Sequence, residues 1–442
     1  MWREWTPLTI ARLVEPDFEI TPHIVYLYKR IAPALKSGGA RFVIAMPPRH
    51  GKSTALARIL PTWHMLTHPR AAVVIATNEQ ELANSHGMAI RDYLLHLETI
   101  LGVKLLDPAR HAMHTLRTTT GASLRCLTVR GSLIGHGADL AIVDDPYRNF
   151  AEAISPRIRQ QVSTWFKSTL YSRLQGKRNV IVIQQRLHAK DLAGELMNRS
   201  GWEAIVLPAI ASENDVLGRR PGEPLWTSRF GLEVLEEIRS EIGDPLFNTL
   251  YNQHPITEEG NLFHSRFFEM RYDTLPELSL RLIAIDTAQT AADKADYTAW
   301  TVWGYDGHYA YLLDAERHRV EYPALVNTTR RLIEQHRAHY VLIEQSASGY
   351  ALLQTLRGDI PHAALVGVNA TGSKIVRALT ASTWFEQGRV LLPSELSTTM
   401  QAWLAEMLEF PHSAHDDFVD STTLALNWLR HNALQGTWRI VR

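Results

Sequence analysis

Apolar positions between residues 41 and 183 fall into short continuous runs, separated by longer mixed segments. β-Branched runs without polar alternation are typical of parallel strands that helices cover on both faces. The pattern predicts an α/β domain with a mostly parallel sheet, preceded by helical segments within residues 1–36. The predicted strands are 42–45, 71–76, 140–143 and 179–183.

A different order of elements begins near residue 280. Two apolar runs flank an Asp306-Gly307 turn, which is a strong hairpin signal. The predicted elements are strands 282–285, 298–305 and 308–314, a helix over 323–337, and a strand over 340–343. Three strands in hairpin order, a helix and then a parallel strand predict a ribonuclease H-like fold for this part of the chain.

Length and composition fit a globular protein of two domains. The chain has 442 residues, 45% of them apolar and 21% charged. Cys126 is the only cysteine, which excludes an intramolecular disulfide and a cysteine-based zinc cluster. No stretch approaches the ~20 apolar residues of a membrane span. We therefore expect a soluble cytoplasmic protein that does not engage a membrane.

The net charge is zero, with 46 basic and 46 acidic residues, but the charge is locally segregated. One stretch between Ala153 and Lys190 contains basic side chains and no acid. Its members are Arg157, Arg159, Lys167, Arg173, Lys177, Arg178, Arg186 and Lys190. Such a run fits a solvated helix face or a surface for DNA phosphates, and the sequence alone leaves both open.

A phosphate-binding loop is predicted directly after the strand 42–45. The run Met-Pro-Pro-Arg-His-Gly-Lys-Ser-Thr matches that motif, except that Met46 replaces the usual first glycine. Lys52 is expected to bridge the β- and γ-phosphates of ATP, and Ser53 to ligate Mg²⁺. Arg49 could stabilise charge on the γ-phosphate, or it could serve only to pack against the loop. The residues expected to contact the nucleotide are Pro48, Arg49, His50, Gly51, Lys52, Ser53 and Thr54.

The strand 140–143 runs into two aspartates. A carboxylate at the end of a buried strand can hold Mg²⁺, so Asp144 is predicted to bind the ATPase metal. A second carboxylate is needed to orient the attacking water, and either Asp145 or Glu152 could do so. An aspartate at a strand end is also a common turn former, but the nearby phosphate-binding loop favours the metal role.

These motifs resemble those of the large subunits of tailed-phage terminases. Pro-Pro-Arg-His-Gly-Lys-Ser is close to their first ATPase signature, and 131–139 is similar to the segment before their second. Residues 185–192 resemble their coupling motif, with Gln185 and Leu187 in place of threonine and tryptophan. The resemblance implies that Gln185 senses the γ-phosphate, that His23 lies near the adenine, and that Arg173 acts on a neighbouring subunit's nucleotide.

Carboxylates at three places in the last part of the chain predict a two-metal nuclease. Asp286 and Glu344 end two strands that we expect to be neighbours, and Asp417 and Asp420 share one face of a predicted helix. Two-metal cleavage requires such converging acids, here for Mg²⁺ or Mn²⁺. The terminase resemblance implies the same metal role. Asp416 and Asp296 are weaker candidates, since a helix cap for Asp416 and a turn for Asp296 explain them better than metal binding does.

The resemblance covers nearly the whole chain and implies a function for each part. Residues 1–207 are predicted to form a P-loop ATPase motor, 208–264 a connector with one helix over 232–242, and 265–442 the nuclease. The implied partners are double-stranded DNA, a small terminase subunit and the portal of the procapsid. On that portal, in the host cytoplasm, the subunits would form a ring. A cellular repair or restriction ATPase–nuclease and a scaffolding ATPase are the alternatives.

Overall fold

The computed structural model describes residues 4–112, 114–255, 262–287, 297–358, 360, 363–369 and 374–435. The contacts divide the chain into two units, Met1–Glu241 with Leu246–Glu258, and Ile242–Pro245 with Glu259–Arg442. Most of the predicted connector, 208–264, thus lies in the first unit, and the three predicted domain boundaries stay a prediction. Among the described helices, none has the length and apolar character of a membrane span.

The first unit is built on one sheet, which in the described residues has eight strands. They are β1 (Arg41–Ala45), β2 (Ala72–Thr77), β3 (Leu106–Ala112), β4 (Thr115–Thr118), β5 (Ser123–Thr128), β6 (Ala138–Asp144), β7 (Leu174–Gln184) and β8 (Glu203–Val206). Their order is β3-β4-β5-β2-β6-β7-β1-β8. Every pairing is parallel except β3 with β4 and β4 with β5. The predicted mostly parallel sheet is confirmed.

Helices accompany this sheet along the chain. They are α1 (Pro7–Val14), α2 (Pro22–Ser37), α3 (Leu60–Thr67), α4 (Gln80–Leu101), α5 (Phe150–Ile154), α6 (Pro156–Trp165), α7 (Leu192–Met197), α8 (Leu232–Ile242) and α9 (Asp244–Leu250). A π-helical turn, Thr54–Ile59, precedes α3.

Alternate residues of the central strands enter two separate cores. In β2, Val73 and Ile75 join one apolar cluster, whereas Val74 and Ala76 join the other. This alternation confirms that the strands are buried on both faces. It also explains their continuous apolar runs, since successive side chains of a strand point to opposite faces.

The second unit contains a seven-stranded sheet in its described residues. Its strands are β9 (Arg271–Tyr272), β10 (Leu280–Asp286), β11 (Thr298–Tyr305), β12 (Ala310–His318), β13 (Tyr340–Glu344), β14 (Ala364–Val368) and β15 (Val390–Pro393). The order is β14-β13-β10-β11-β12-β15-β9. β10, β11 and β12 are antiparallel, and β13 lies parallel to β10. This arrangement matches the order of elements that the sequence predicts.

Helices cover both faces of the second sheet. They are α10 (Tyr322–His336), α11 (Ala347–Leu356), α12 (Lys374–Glu386), α13 (Thr398–Glu409) and α14 (Asp417–Gln435). α10 and α11 share an apolar core with β10, β11 and β13. α14 packs against β10 and β11 as well as α12 and α13. α14 thereby packs on β10, the strand that ends in Asp286, and on its neighbour β11.

Candidate functional sites: a nucleotide cleft and an acidic cluster

The loop after β1 lacks the first glycine of a phosphate-binding loop but turns at two later residues with positive φ. Met46 continues the strand, because its N–H donates to the Gln184 carbonyl at 3.3 Å and its side chain is buried. Positive φ angles occur instead at Arg49, 63°, and at Gly51, 84°. A Cβ at Gly51 would lie 3.2 Å from the Phe18 ring. The glycine that the loop requires is therefore Gly51, for both reasons.

Two polar contacts join this loop to the end of β6. Lys52 Nζ lies 3.2 Å from Asp145 Oδ2, and Ser53 Oγ donates to Asp144 Oδ1 at 3.2 Å. Asp144 is completely buried. Burial raises the pKa of the Asp145 carboxyl, and the Lys52 ammonium opposes that shift. The structure thus brings together the four side chains that the two ATPase motifs contribute.

A cleft of about 450 Å³ opens beside these residues. It is lined by Asp17, Phe18, Glu19, Arg49, Gly51, Lys52, Ser53, Thr54, Trp226 and Arg229. Phe18 and Arg229 carry no motif, so sequence reasoning missed them. Arg229 also lies over the Trp226 ring, 5.3 Å from its centroid. The cleft therefore combines phosphate-binding groups with an aromatic and a cationic wall.

Two histidines support the loop from within the protein. His50 Nδ1 donates to the Pro48 carbonyl at 2.8 Å, and the His50 ring stacks on Phe230 with centroids 4.4 Å apart. His23 Nε2 lies 3.2 Å from the His50 carbonyl. Burial lowers the pKa of both histidines to about 4, so they are neutral at physiological pH. The side chains of Pro48 and His50 shape the loop and do not line the cleft.

The predicted sensor and the two predicted bases differ in their surroundings. The Gln185 N–H donates to Asp145 Oδ1 at 3.2 Å, and its carboxamide oxygen is buried without a hydrogen-bond partner in the described structure. Glu152, on α5, accepts from the Arg148 N–H at 3.1 Å and lies 3.9 Å from Arg130. Gln185 therefore adjoins the Lys52–Asp145 pair, whereas Glu152 faces arginines.

The basic run between residues 153 and 190 does not form one face. Arg159 is buried and donates to the Ala153 carbonyl at 2.9 Å. Lys167 Nζ lies 2.7 Å from Glu195, and Arg186 pairs with the buried Asp191. These three cations have structural partners, so neither a continuous solvated helix face nor a continuous phosphate surface accounts for the run as a whole.

The strand register of the second unit brings Asp286 and Glu344 together. Ile285 pairs with Ile343 in the parallel β10–β13 ladder, and each acid is the next residue of its strand. The carboxylates of Asp286 and Glu344 are therefore neighbours at the carboxyl ends of β10 and β13. α14, which packs on β10, carries Asp417 and Asp420 in its first turn. Asp296, one of the two weaker candidates, lies outside the described residues.

The electrostatics show that these acids are close to one another. The pKa of Asp286 is raised well above its usual range, first by burial and then by Asp420, Glu344 and Asp417. The pKa of Glu344 is raised by burial and by Asp420, against the effect of two nearby cations. Carboxylates that raise one another's pKa form a site that favours a cation.

Two cations already neutralise part of this cluster. Lys374 Nζ lies 2.5 Å from Asp420 and 2.7 Å from Asp416, and Arg377 donates to Asp420 at 2.9 Å. In the part of the chain that the structure describes, no three acidic, histidine or cysteine side chains are arranged to hold a metal ion together. Carboxylate oxygens are suitable ligands for Mg²⁺ and Mn²⁺, so the residue types fit a metal, whereas in this arrangement Asp420 is paired with protein cations.

A buried glutamate positions the start of α14, and sequence reasoning missed it. Glu406 Oε1 accepts from the N–H groups of Phe418, at 2.7 Å, and Val419, at 3.1 Å. Its other oxygen accepts from Arg317, which lies 3.9 Å from Asp417. Burial raises the pKa of Glu406 to about 7. A lone glutamate on a helix has no local pattern that would reveal this role.

Comparisons with known proteins assign both parts of the chain. Residues 43–265 match the family model "Terminase large subunit, T4likevirus-type, N-terminal", and residues 283–429 match "Terminase RNaseH-like domain". The chain belongs to the terminase large subunit family. Its two parts are accordingly a terminase ATPase domain and a ribonuclease H-like nuclease domain. Both the predicted resemblance and the predicted fold class are confirmed, and membership favours packaging over the cellular alternatives.

Solved terminase structures agree with this fold. The large terminase of a thermophilic bacteriophage is 12% identical, with a TM-score of 0.52 over 93% of this chain and 99% of its own. The complex of that phage enzyme with ATP-gamma-S has a TM-score of 0.51 at 12% identity, over 93% and 98%. At such identities the likeness concerns the fold alone. A sequence search of curated proteins finds no match to this terminase chain.

Proposed function

We propose that this terminase large subunit hydrolyses ATP to move double-stranded viral DNA into a procapsid, and cuts that DNA with a two-metal nuclease. One observation carries the motor assignment: Ser53 contacts Asp144, which ends β6, and Lys52 contacts Asp145, which follows it. The thermophilic phage enzyme, which shares the fold, has been solved with ATP-gamma-S. ATP is accordingly the nucleotide that we propose for the cleft.

In the motor site, each side chain has a distinct task. Lys52 would bind the β- and γ-phosphates, and the loop N–H groups would cradle them. Ser53 and Asp144 would hold Mg²⁺, which neutralises phosphate charge when bound. Asp145, released from Lys52, would orient the attacking water, and Arg49 would stabilise charge on the γ-phosphate. We favour Asp145 over Glu152 as the base, because Glu152 faces arginines instead.

In the nuclease site, the chain supplies the carboxylates. Asp286, Glu344, Asp417 and Asp420 would hold divalent ions, Mg²⁺ or Mn²⁺. Bound there, the ions would supply Lewis acids for the attacking water and for the leaving oxygen. Asp420 would have to exchange its ion pair with Lys374 for a metal contact. Lys374 and Arg377 would then be free to face DNA phosphates.

The proposed partners follow from the packaging role. Double-stranded DNA is the substrate of the nuclease site and the molecule that the motor moves, whereas ATP is the substrate of the motor site. We propose that the chain is monomeric in solution and that several copies form a ring when docked on the portal of the procapsid in the host cytoplasm. A small terminase subunit would select viral DNA for it.

Two variants of the full chain test both activities at once. Asp286→Asn should abolish Mn²⁺-dependent cleavage of plasmid DNA and keep ATP hydrolysis. Lys52→Ala should abolish ATP hydrolysis and keep the cleavage of plasmid DNA. Each variant is the folding control for the other, because the substitutions lie in separate units. A cleaving Asp286→Asn enzyme would remove the nuclease assignment. ATP hydrolysis by Lys52→Ala at the wild-type rate would remove the motor assignment.

A further inference from the structure

A chain of buried side chains reaches Asp144 from within the protein. His86, on α4, places Nε2 3.0 Å from Asp144 Oδ2, and neither side chain is exposed. Arg58, in the π-helical turn after the loop, donates from Nε to His86 Nδ1 at 3.1 Å. It also donates to Ser85 Oγ at 3.1 Å, which holds the guanidinium in place.

Arg58 determines which nitrogen of His86 carries the proton. A guanidinium has donors and no acceptor, so His86 Nδ1 must accept and carries no hydrogen. The ring proton therefore sits on Nε2, which donates to Asp144 Oδ2. The other oxygen, Oδ1, is the one that Ser53 contacts at 3.2 Å. The hydrogen bonds thus run from Arg58 to His86 and from His86 to Asp144, and they leave Asp144 Oδ1 facing the loop.

We propose that His86 is a positioning residue, which holds Asp144 in the orientation that binds the magnesium ion of the nucleotide. The inference rests on the proposed ATPase function of this cleft. A carboxylate held at one oxygen loses rotational freedom before the metal binds, so metal binding costs less conformational entropy. Arg58 acts through His86, and neither residue is among those that line the cleft.

The experiment measures nucleotide binding and needs no turnover. Fluorescent N-methylanthraniloyl-ATP is titrated onto the full chain with EDTA and then at increasing Mg²⁺. His86→Phe fills the space without donating, and should raise the Mg²⁺ concentration for half-maximal binding about ten-fold or more. Affinity for the nucleotide in EDTA should not change. His86→Gln places an amide N–H near the former Nε2 and should restore most of the Mg²⁺ dependence.

A second variant tests whether Arg58 acts through His86. Arg58→Met should raise the Mg²⁺ requirement in the wild-type background and add little to His86→Phe, because the two residues form one chain. Additive effects would overturn that link. A folded His86→Phe protein with the wild-type Mg²⁺ midpoint would overturn the proposal, as would an equal loss of affinity in EDTA. If the wild-type chain shows no Mg²⁺-dependent nucleotide binding, that result contradicts the proposed ATPase function itself.

Discussion

The Lys52 ammonium lies 3.2 Å from the Asp145 carboxylate beside the nucleotide cleft. If Lys52 binds ATP phosphates, nucleotide binding must transfer this ammonium from one anion to another. Asp145 would therefore oppose ATP binding before the transfer and promote hydrolysis after it. The two effects have opposite signs, so separate measurements of binding and turnover distinguish them.

Replacing Asp145 by asparagine should separate ATP binding from hydrolysis. Asp145→Asn removes the anion that competes for Lys52, so we expect nucleotide affinity to be equal or higher. We expect kcat to fall about a hundred-fold or more, as is usual when a general base is lost. Equilibrium binding of a fluorescent ATP analogue and steady-state phosphate release measure the two quantities.

Glu152→Gln is the matched control for that measurement. Glu152 interacts with the Arg148 N–H and with Arg130, so its amide variant should keep kcat within a few-fold of wild type. If Glu152→Gln instead loses hydrolysis while Asp145→Asn retains it, Glu152 and not Asp145 is the general base.

Ionisation of the acidic cluster should destabilise the metal-free protein as the pH rises. The pKa values of Asp286 and Glu344 are raised, with burial as the first cause of both shifts. A raised carboxyl pKa stabilises the fold below the pKa of the unfolded chain. That contribution is lost as the pH rises through the folded pKa.

Thermal unfolding in EDTA, from about pH 5 to about pH 8, tests this dependence. We expect the Tm to fall as the pH rises. The fall should be shallower in Asp286→Asn. Added Mn²⁺ should raise the Tm at the highest pH of this range. An Asp286→Asn protein with the same slope as wild type would show that the cluster does not cause the loss.

Glu406 should be required for nuclease activity although it is not one of the expected metal ligands. Glu406→Ala leaves two buried N–H groups of α14 and the Arg317 guanidinium without their acceptor. We expect a cost of about 2–4 kcal/mol in the free energy of unfolding and loss of plasmid cleavage. Glu406→Gln keeps an acceptor for the N–H groups and should lose less stability. Chemical denaturation and a cleavage assay measure both effects, and an active, stable Glu406→Ala protein would contradict the positioning role.

Removing Lys374 should strengthen metal binding. Its ammonium lies 2.5 Å from Asp420, so it competes for a carboxylate that we expect to hold the metal. Lys374→Met should raise the affinity for Mn²⁺ roughly three- to ten-fold in isothermal titration calorimetry, because a nearby positive charge is lost. Lys104→Met is the control, since Lys104 pairs with Glu98 in the other unit. Weaker Mn²⁺ binding by Lys374→Met would show that this lysine organises the carboxylates instead.

Much of the fold was predictable because its signals are local. The continuous apolar runs of β1, β2, β6 and β7 reflect burial on both faces of a parallel sheet, and the Asp306-Gly307 turn marks the β11–β12 hairpin. β3, β4 and β5 were not predicted. β4 and β5 mix polar and apolar residues, and the β3–β4–β5 pairing is antiparallel at the edge of a parallel sheet.

The sequence by itself determined the phosphate-binding loop and the carboxylates at strand ends, since each depends on residue types at short, regular spacings. Only the tertiary structure decided which side chains meet them. His86 on Asp144, Glu406 on the first turn of α14 and Lys374 on Asp420 each join residues far apart in the chain or on different elements. Such partners are selected by packing and by the need to satisfy buried polar groups, and neither leaves a short-range pattern in a single sequence.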